Sequence, residues 1–398
     1  MQERGGDTLP IDAAFTGAGA QLAGTFDSDA LQVAGIPFSN VRLSGTAAHF
    51  ELAGDSSTVA FDGALAGDAI TGTFTDGANR GTFQLHRAKV ARPAVHARDV
   101  TFADGAVTLA GTVIAPAAAG THAAIVFMHG SGPEGRWANR YLAQKLAEHG
   151  IVALIYDKRG VGASTGDWRG AGFEPLADDA AAGVRFVRSL PEVDPRRVGI
   201  YGHSQGATLA PLVATKLGDL AFVIASAPGG LAPADVEIYS IENSIGVAAL
   251  PAAERADAKA YVRAVVDVAY RGAPRAGLDA LATRFAKRSW FFPAPADGDP
   301  YWAMSRQIAA FDPARAWRGV KAPVLLAYGA FDERVPRAGI DAIAAALHAG
   351  GNTRVTLHVW PHADHTFTIV DPPKHDGWPA HAPDYATALA DWVTTQAR

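Results

Sequence analysis

From Ala123 to the C-terminus, the sequence alternates short apolar runs with amphipathic stretches of helical period. Parallel strands need a crossover connection, which is usually a helix, so this alternation is typical of a mostly parallel sheet with helices on both faces. The predicted strands are 123–128, 151–156, 198–201, 221–225, 324–328 and 354–359. The predicted helices are 137–149, 174–190, 205–217, 337–349 and 384–395. The pattern therefore predicts an α/β fold, with a hairpin at 100–113 leading into the sheet.

One interval interrupts this alternation. Between Pro228 and Pro323 no strand is evident, and helical runs occupy 234–248, 252–272 and 276–287. We interpret residues 229–320 as a helical cap inserted over the strand ends, which leaves 93–228 and 321–398 as the α/β core. The cap aromatics that are candidates for lining a substrate pocket are Trp290, Phe291, Tyr301 and Trp302. The alternative is that they form the core of the cap itself.

The first 92 residues show a different sequence pattern. Short runs of period two, such as Val59, Phe61 and Leu65 with polar neighbours, are separated by glycine and aspartate. One apolar and one polar face per strand predicts a small antiparallel β domain, either a curved sheet or an incomplete barrel. It can serve as a structural or oligomerising appendage, or bind a ligand in its concavity. A linker is predicted at 91–94.

Bulk composition excludes several classes of protein. The 398 residues are 48% hydrophobic and 19% charged, which is typical of globular chains, and their number favours two domains. The net charge of −5, without a basic stripe, gives no reason to expect a nucleic-acid partner. No apolar run approaches the roughly 18 residues of a membrane span. We therefore expect a soluble protein with a small-molecule substrate, and a homo-oligomer could form through the N-terminal domain or the cap.

The chain also lacks the usual cofactor signatures. It contains no cysteine, so thiol nucleophiles and cysteine metal sites are excluded. No G-x-G-x-x-G opens a helix and no P-loop lysine is present, so we expect no cofactor and no metal. The start, Met1 to Gly6, has no apolar signal core. It is compatible with a cytoplasmic chain and with a periplasmic or secreted chain that has lost its signal peptide.

The segment Gly202-His203-Ser204-Gln205-Gly206 lies between a predicted strand and a predicted helix. A G-x-S-x-G in this position predicts a nucleophile elbow, in which the serine projects from a sharp turn at the carboxyl end of the sheet. The amide of Gln205 would then face a developing oxyanion. An ordinary glycine-bounded turn is the alternative, so the ends of the other strands must decide.

A second oxyanion donor is predicted after the first strand. Strand 123–128 runs into His129-Gly130-Ser131-Gly132-Pro133, whose glycines allow a backbone N–H to approach a cleft. We choose the amide of Ser131 as this donor. His129, the second candidate for a catalytic histidine, is expected to form a local hydrogen bond, and the Ser131 hydroxyl lacks an elbow.

The two remaining strand ends supply an acid and a base. Strand 324–328 is followed by Asp332 and Glu333, and we favour Asp332 as the carboxylate that orients an imidazole, the alternative being a helix N-cap. Strand 354–359 is followed by His362 and His365, and we choose His365 as the general base because it lies deeper in the loop. The two histidines, with Asp364 between them, could also suggest a metal site, but we expect none because no further ligand is in view in this loop.

These motifs together resemble the α/β-hydrolases over residues 98–398. The matching segments are Gly202 to Gly206, His129 to Pro133, Asp157-Lys158-Arg159-Gly160-Val161-Gly162-Ala163-Ser164, Gly329 to Pro336, and His365 to Phe367. The His-Gly-Ser-Gly-Pro and Asp-x-Arg-Gly-x-Gly-x-Ser segments resemble a bacterial group of serine esterases and serine-aminopeptidase-like hydrolases, often with an extra N-terminal domain. In that group Asp157 and Arg159 would shape a loop and take no part in the chemistry.

The resemblance implies an α/β-hydrolase fold and a catalytic triad of Ser204, Asp332 and His365, in the chain order of that superfamily. The oxyanion hole would consist of the N–H groups of Ser131 and Gln205. The implied activity is that of a carboxylesterase working through an acyl-enzyme. The alternatives are a peptidase, an acyltransferase or thioesterase on the same triad, and a non-catalytic binding protein.

Overall fold

A computed structural model describes residues 2–4, 7–53, 57–88, 94–371 and 378–396. Its N-terminal region is built from strands alone, apart from one short turn of 3-10 helix. They are β1 Gln2–Arg4, β2 Asp7–Leu9, β3 Asp12–Thr16, β4 Ala23–Ser28, β5 Val33–Pro37, β6 Ser39–Ser44, β7 Ala47–Ala53, β8 Thr58–Ala66, β9 Ala69–Asp76 and β10 Asn79–His86. Except for Ala94, the predicted linker at 91–94 lies outside the described residues.

These strands form two antiparallel sheets. One has the order β2-β1-β10-β9-β8-β7-β6 and the other the order β3-β4-β5. Alternate side chains point between the sheets because successive residues of a strand face opposite sides. The buried side chains that result are Phe26, Phe38, Phe50, Phe61, Phe74 and Phe83. The predicted antiparallel β region is confirmed, and it consists of two sheets.

A third sheet, of eight strands, follows. Its strands are β11 Val95–Asp104, β12 Val107–Pro116, β13 His122–Met128, β14 Ile151–Tyr156, β15 Val193–His203, β16 Val223–Ser226, β17 Val324–Gly329 and β18 Val355–Trp360. Their order is β11-β12-β14-β13-β15-β16-β17-β18. The pairs β11–β12 and β12–β14 are antiparallel and the five remaining pairs are parallel. The parallel strands therefore end at one common edge of the sheet.

Ten α-helices accompany this sheet in the described residues. They are α1 Arg140–Glu148, α2 Phe173–Arg188, α3 Gln205–Leu217, α4 Pro233–Ser244, α5 Ala252–Arg271, α6 Arg275–Phe285, α7 Pro300–Ile308, α8 Pro313–Arg318, α9 Arg337–Ala349 and α10 Tyr385–Gln396. One apolar cluster joins the sheet to α2, α3 and α9, and another joins its opposite face to α1 and α10. The predicted fold, a mostly parallel sheet with helices on both faces, is confirmed.

Helices α4 to α8 all lie between β16 and β17, where the sequence analysis predicted no strand. Helices α5 and α6 pack around a separate apolar cluster that contains Tyr261, Phe285 and Trp290. This segment therefore has a core of its own. We propose residues 229–320 as the cap, with the boundaries drawn from the sequence.

Candidate active site

Ser204 occupies a strained turn between β15 and α3. Its φ of 54° and ψ of −115° lie in a region that costs a non-glycine residue about 1–3 kcal/mol. A Cβ on Gly202 would lie 2.3 Å from the carbonyl carbon of Gly206, and a Cβ on Gly206 would lie 2.8 Å from the His129 oxygen. Both positions therefore require glycine. The Ser204 amide donates to the Ser226 carbonyl at 2.9 Å, which anchors the turn to β16.

Asp332 and His365 meet beyond the ends of β17 and β18. The His365 Nδ1 atom lies 2.9 Å from Oδ2 and 3.0 Å from Oδ1 of the carboxylate. The Asp332 carboxylate is buried, and its Oδ1 atom also accepts the amides of Arg334 and Val335, each at 2.8 Å. A carboxylate can only accept, so the imidazole proton resides on Nδ1 and Nε2 keeps its lone pair. The arrangement prepares His365 to act as a base.

A cavity of about 630 Å³ opens above these groups. The predicted site residues on its wall are Ser131, Ser204, Gln205, Tyr301 and His365. The cap contributes further lining residues, among them Glu237, Tyr270 and Met304. The cavity volume lies within the range of small-molecule sites. Residues after the strand ends and residues of the proposed cap therefore line one common space.

The two proposed oxyanion donors come from the start of α3 and from the loop after β13. Gln205 is the first residue of that helix, so its N–H has no acceptor within the helix and lies at the positive end of the helix dipole. Ser131 lies in the loop after β13, which is folded by a hydrogen bond from the Gly130 amide to the Glu134 Oε2 atom at 2.7 Å. Both residues line the cavity.

Lys158 lies beneath this loop and was not singled out by the sequence analysis. Its side chain is buried, and its Nζ atom donates to the carbonyls of Gly130 at 2.6 Å and Gly132 at 3.1 Å. A third bond, of 3.0 Å, reaches the Gln205 Oε1 atom. The available signal was a lysine two residues after the end of the apolar strand β14, since a charged group so close to a buried strand needs partners.

The neighbours of Lys158 in the chain have structural roles. The Arg136 guanidinium binds the Asp157 carboxylate through Nε at 3.1 Å and Nη2 at 2.9 Å. Arg159 makes a similar double contact with Asp179, at 2.7 and 2.8 Å. These ion pairs fix the loop that the resemblance assigned to Asp157 and Arg159.

Three other histidines lie near the site. The His129 Nε2 atom donates to the Tyr156 carbonyl, and burial lowers the pKa of His129 to about 4, so the ring is neutral. Burial also lowers the pKa of His203 to about 3, and its ring packs 4.9 Å from that of His365. His362 is exposed and contacts Asp371 at 3.3 Å. Of the two histidines after β18, the one that reaches Asp332 is His365.

The aromatic residues of the cap divide between two environments. Trp290 and Trp302 are buried in the apolar cluster of the cap, and Phe291 packs against it. Tyr301 lines the cavity, where its hydroxyl donates to the Glu237 Oε1 atom at 3.2 Å. Sequence reasoning did not anticipate Glu237, a carboxyl group whose pKa is raised by burial.

Among the described residues, no group of three or more histidine or acidic side chains could hold a metal ion. None of the helices in the same ranges is both long and apolar enough to cross a bilayer.

Comparison with known families identifies the chain. Residues 104–364, more than half of its length, match the model of the X-Pro dipeptidyl-peptidase (S15) family. The chain belongs to this family. The match includes Ser204 and Asp332 and ends at Asp364, directly before His365. The resemblance to the α/β-hydrolase superfamily is thus confirmed for this S15-family chain.

Individual similar proteins match this chain either at low sequence identity or over a short part of its length. A Pyrococcus furiosus esterase structure has a TM-score of 0.51 at 17% identity, covering 78% of this chain and 96% of its own, and it shows the common fold. Quorum-quenching protein AidA of Acinetobacter baumannii is 32% identical over 26% of this chain and 34% of its own length. Thiohydrolase apmlB of Arthrinium phaeospermum is 37% identical over 16% and 22%, respectively. The chain thus spans about a third or less of the curated relatives that it matches.

Proposed function

We propose that this S15-family chain is a serine hydrolase that cleaves small carboxylic esters through an acyl-enzyme. The observation that carries the proposal is the buried Asp332–His365 pair, whose histidine lines the same cavity as the strained Ser204. A carboxylate-held imidazole and a serine at an elbow are the groups that acyl transfer requires. No cofactor enters the proposed reaction.

In the proposed mechanism, the Nε2 atom of His365 removes the proton of Ser204 as its Oγ atom attacks the ester carbonyl. The N–H groups of Ser131 and Gln205 bind the oxyanion of the tetrahedral intermediate. His365 then protonates the departing alcohol, which leaves the acyl group on Ser204. Water, activated by the same imidazole, releases the acid. Asp332 holds the tautomer of His365 throughout.

The size and lining of the cavity favour a small substrate. Its volume of about 630 Å³ suits a small molecule, and Tyr301 from the cap would contact the acyl or alcohol group. Trp290, Phe291 and Trp302 would act indirectly, by forming the cap cluster against which Tyr301 packs. Of the four aromatic candidates, Tyr301 is the one that we propose as a substrate contact.

The second candidate function is hydrolysis of X-Pro peptide bonds. The family match favours it, and so does Glu237, a carboxyl group on the cavity wall that could accept a substrate amine. Thioester hydrolysis, or transfer of the acyl group to an acceptor other than water, would use the same triad. The similarity to a thiohydrolase points in that direction. These alternatives differ in substrate and share Ser204.

The test is a substrate panel with the wild type and Ser204→Ala. We expect turnover of p-nitrophenyl acetate and butyrate to exceed that of an Ala-Pro anilide and an acyl thioester. Ser204→Ala should retain only the ~10³–10⁴-fold advantage over water that an oxyanion hole and binding provide. A fluorophosphonate probe should label the wild type and leave Ser204→Ala unlabelled. Ester turnover by Ser204→Ala at the wild-type rate contradicts the proposal, and absent labelling of the wild type favours a non-catalytic binding protein.

A further inference from the structure

Lys158 is a buried cation in the part of the site where the proposed reaction develops negative charge. Only 2% of its surface is exposed, yet its ammonium has three N–H donors and makes three hydrogen bonds. Taking an ammonium group out of water costs several kcal/mol, so such a position needs compensating partners. Among the described residues, the compensation comes from hydrogen bonds to two loop carbonyls and a side-chain amide.

The partners of Lys158 flank the proposed oxyanion donors. Gly130 and Gly132 stand on either side of Ser131, and Gln205 carries the other donor on its own backbone. The Gly130 carbonyl and the Ser131 N–H belong to one peptide unit. Because that unit is planar and trans, its C=O and N–H point in opposite directions. Holding the Gly130 oxygen at 2.6 Å from Nζ therefore directs the Ser131 N–H away from Lys158.

We propose that Lys158 is a positioning residue that aligns both halves of the oxyanion hole with its ammonium group. It fixes the Gly130–Ser131 peptide through one carbonyl and ties that loop to the start of α3 through the Gln205 side chain. Its charge also makes the potential at the oxyanion more positive, an effect that is strengthened by the low dielectric of a buried site. This inference rests on the proposed acyl-enzyme function.

The charge of Lys158 depends on pH in an accessible range. Burial lowers the pKa of Lys158 to about 8, while the Glu134 carboxylate opposes the shift. The other groups that face it are the neutral His129, the Gln205 amide and the Trp168 ring, whose centroid lies 5.0 Å from Nζ. Deprotonation removes both the charge and one of the three N–H donors. The wild-type kcat should therefore fall as the pH rises through about 8.

The experiment compares Lys158→Met with the wild type on p-nitrophenyl acetate between pH 6 and 10. Loss of one oxyanion donor costs about 10²–10³ in kcat. For Lys158→Met we expect a loss of kcat in this range at pH 7 and a KM within about threefold of the wild-type value. The fall of kcat at alkaline pH should disappear. Binding of a trifluoromethyl ketone analogue should weaken by the same factor as kcat/KM. Lys216→Met, which removes a more exposed lysine of α3, is the control and should keep the wild-type profile.

A second variant covers the case in which Lys158→Met does not fold. Gln205→Ala keeps the backbone N–H but removes an acceptor of the ammonium. We expect its alkaline inflection to move to lower pH because the charged form of Lys158 loses a partner. An unmoved inflection, or a folded Lys158→Met with unchanged kcat and pH profile, overturns the inference. An active Ser204→Ala would instead overturn the proposed function, so the two failures are distinguishable.

Discussion

Replacing Asp332 by Asn tests how the site sets the tautomer of His365. The two carboxylate oxygens have different partners in the structure. Oδ1 accepts the amides of Arg334 and Val335 at 2.8 Å, whereas Oδ2 contacts only the imidazole among the hydrogen bonds of the described residues. The backbone donors therefore hold the oxygen of an asparagine at the Oδ1 position. Its NH₂ group then takes the Oδ2 position, 2.9 Å from Nδ1 of His365.

The expected magnitude follows from this geometry. An NH₂ group can only donate, and the oxygen at the Oδ1 position, although 3.0 Å from Nδ1, already accepts two backbone amides, so we expect Nδ1 to become an acceptor and the ring proton to move to Nε2. A protonated Nε2 atom cannot accept the proton of Ser204. In serine hydrolases this loss of the correct tautomer lowers kcat about 10⁴-fold, or roughly 5.4 kcal/mol at 1.36 kcal/mol for each factor of ten. Stability should change little because the asparagine keeps both backbone contacts and the shape of the side chain.

The assay measures initial rates on p-nitrophenyl acetate and the rate of fluorophosphonate labelling at pH 7.5, with the Tm of each variant. Glu333→Gln is the matched control. That side chain is 46% exposed and contacts Arg334 at 3.6 Å, so its loss should alter kcat by less than about twofold. If Asp332→Asn keeps more than a tenth of the wild-type kcat, the assignment of Asp332 is refuted. Equal losses in both variants would refute the choice between the two acids.

Two further predictions concern stability. Gly202→Ala places a Cβ 2.3 Å from the Gly206 carbonyl carbon, so the free energy of unfolding measured with urea should fall by about 3 kcal/mol or more. A fall below about 1 kcal/mol contradicts the described elbow. The folded-state pKa of His129 is about 4, below its ordinary value of 6.5, so the unfolded chain binds more protons between these values and stability falls with decreasing pH. His129 should account for a fall of up to ~3 kcal/mol in the free energy of unfolding between pH 6.5 and 4. His129→Gln should reduce that fall, whereas His362→Gln, at an exposed site, should not.

The sequence was most informative at the ends of the parallel strands. Ser204, Asp332 and His365 each follow an apolar run, and the parallel arrangement predicts that such ends share one edge of the sheet. The glycines around Ser204 added a local signal because the turn leaves no room for a Cβ at either position. The α/β fold could be predicted from the same alternation of apolar runs, and so could the strand-free interval that we propose as a cap.

Other features depend on long-range packing that no local pattern encodes. Trp290 and Tyr301 look alike in sequence, yet Trp290 packs into the cap cluster from the turn after α6, whereas Tyr301 lines the cavity from α7. The role of Lys158 could not be predicted from the sequence around it, because its hydrogen-bond partners come from the loop after β13 and from the start of α3. The N-terminal strands showed their period of two but not their division into two sheets.

Three features that involve no sequence motif converge on the same cavity. Burial shifts the pKa of Lys158 and Glu237 toward the neutral form, and Ser204 adds backbone strain. Each of these features opposes folding, since charged groups lose hydration and a non-glycine residue rarely adopts such dihedrals. Glu237 and Ser204 both line the cavity, and Lys158 bonds to the loop and the helix start that form its floor. Such costs usually accumulate where a protein prepares its polar groups for chemistry, and this is the reason for placing the reaction there.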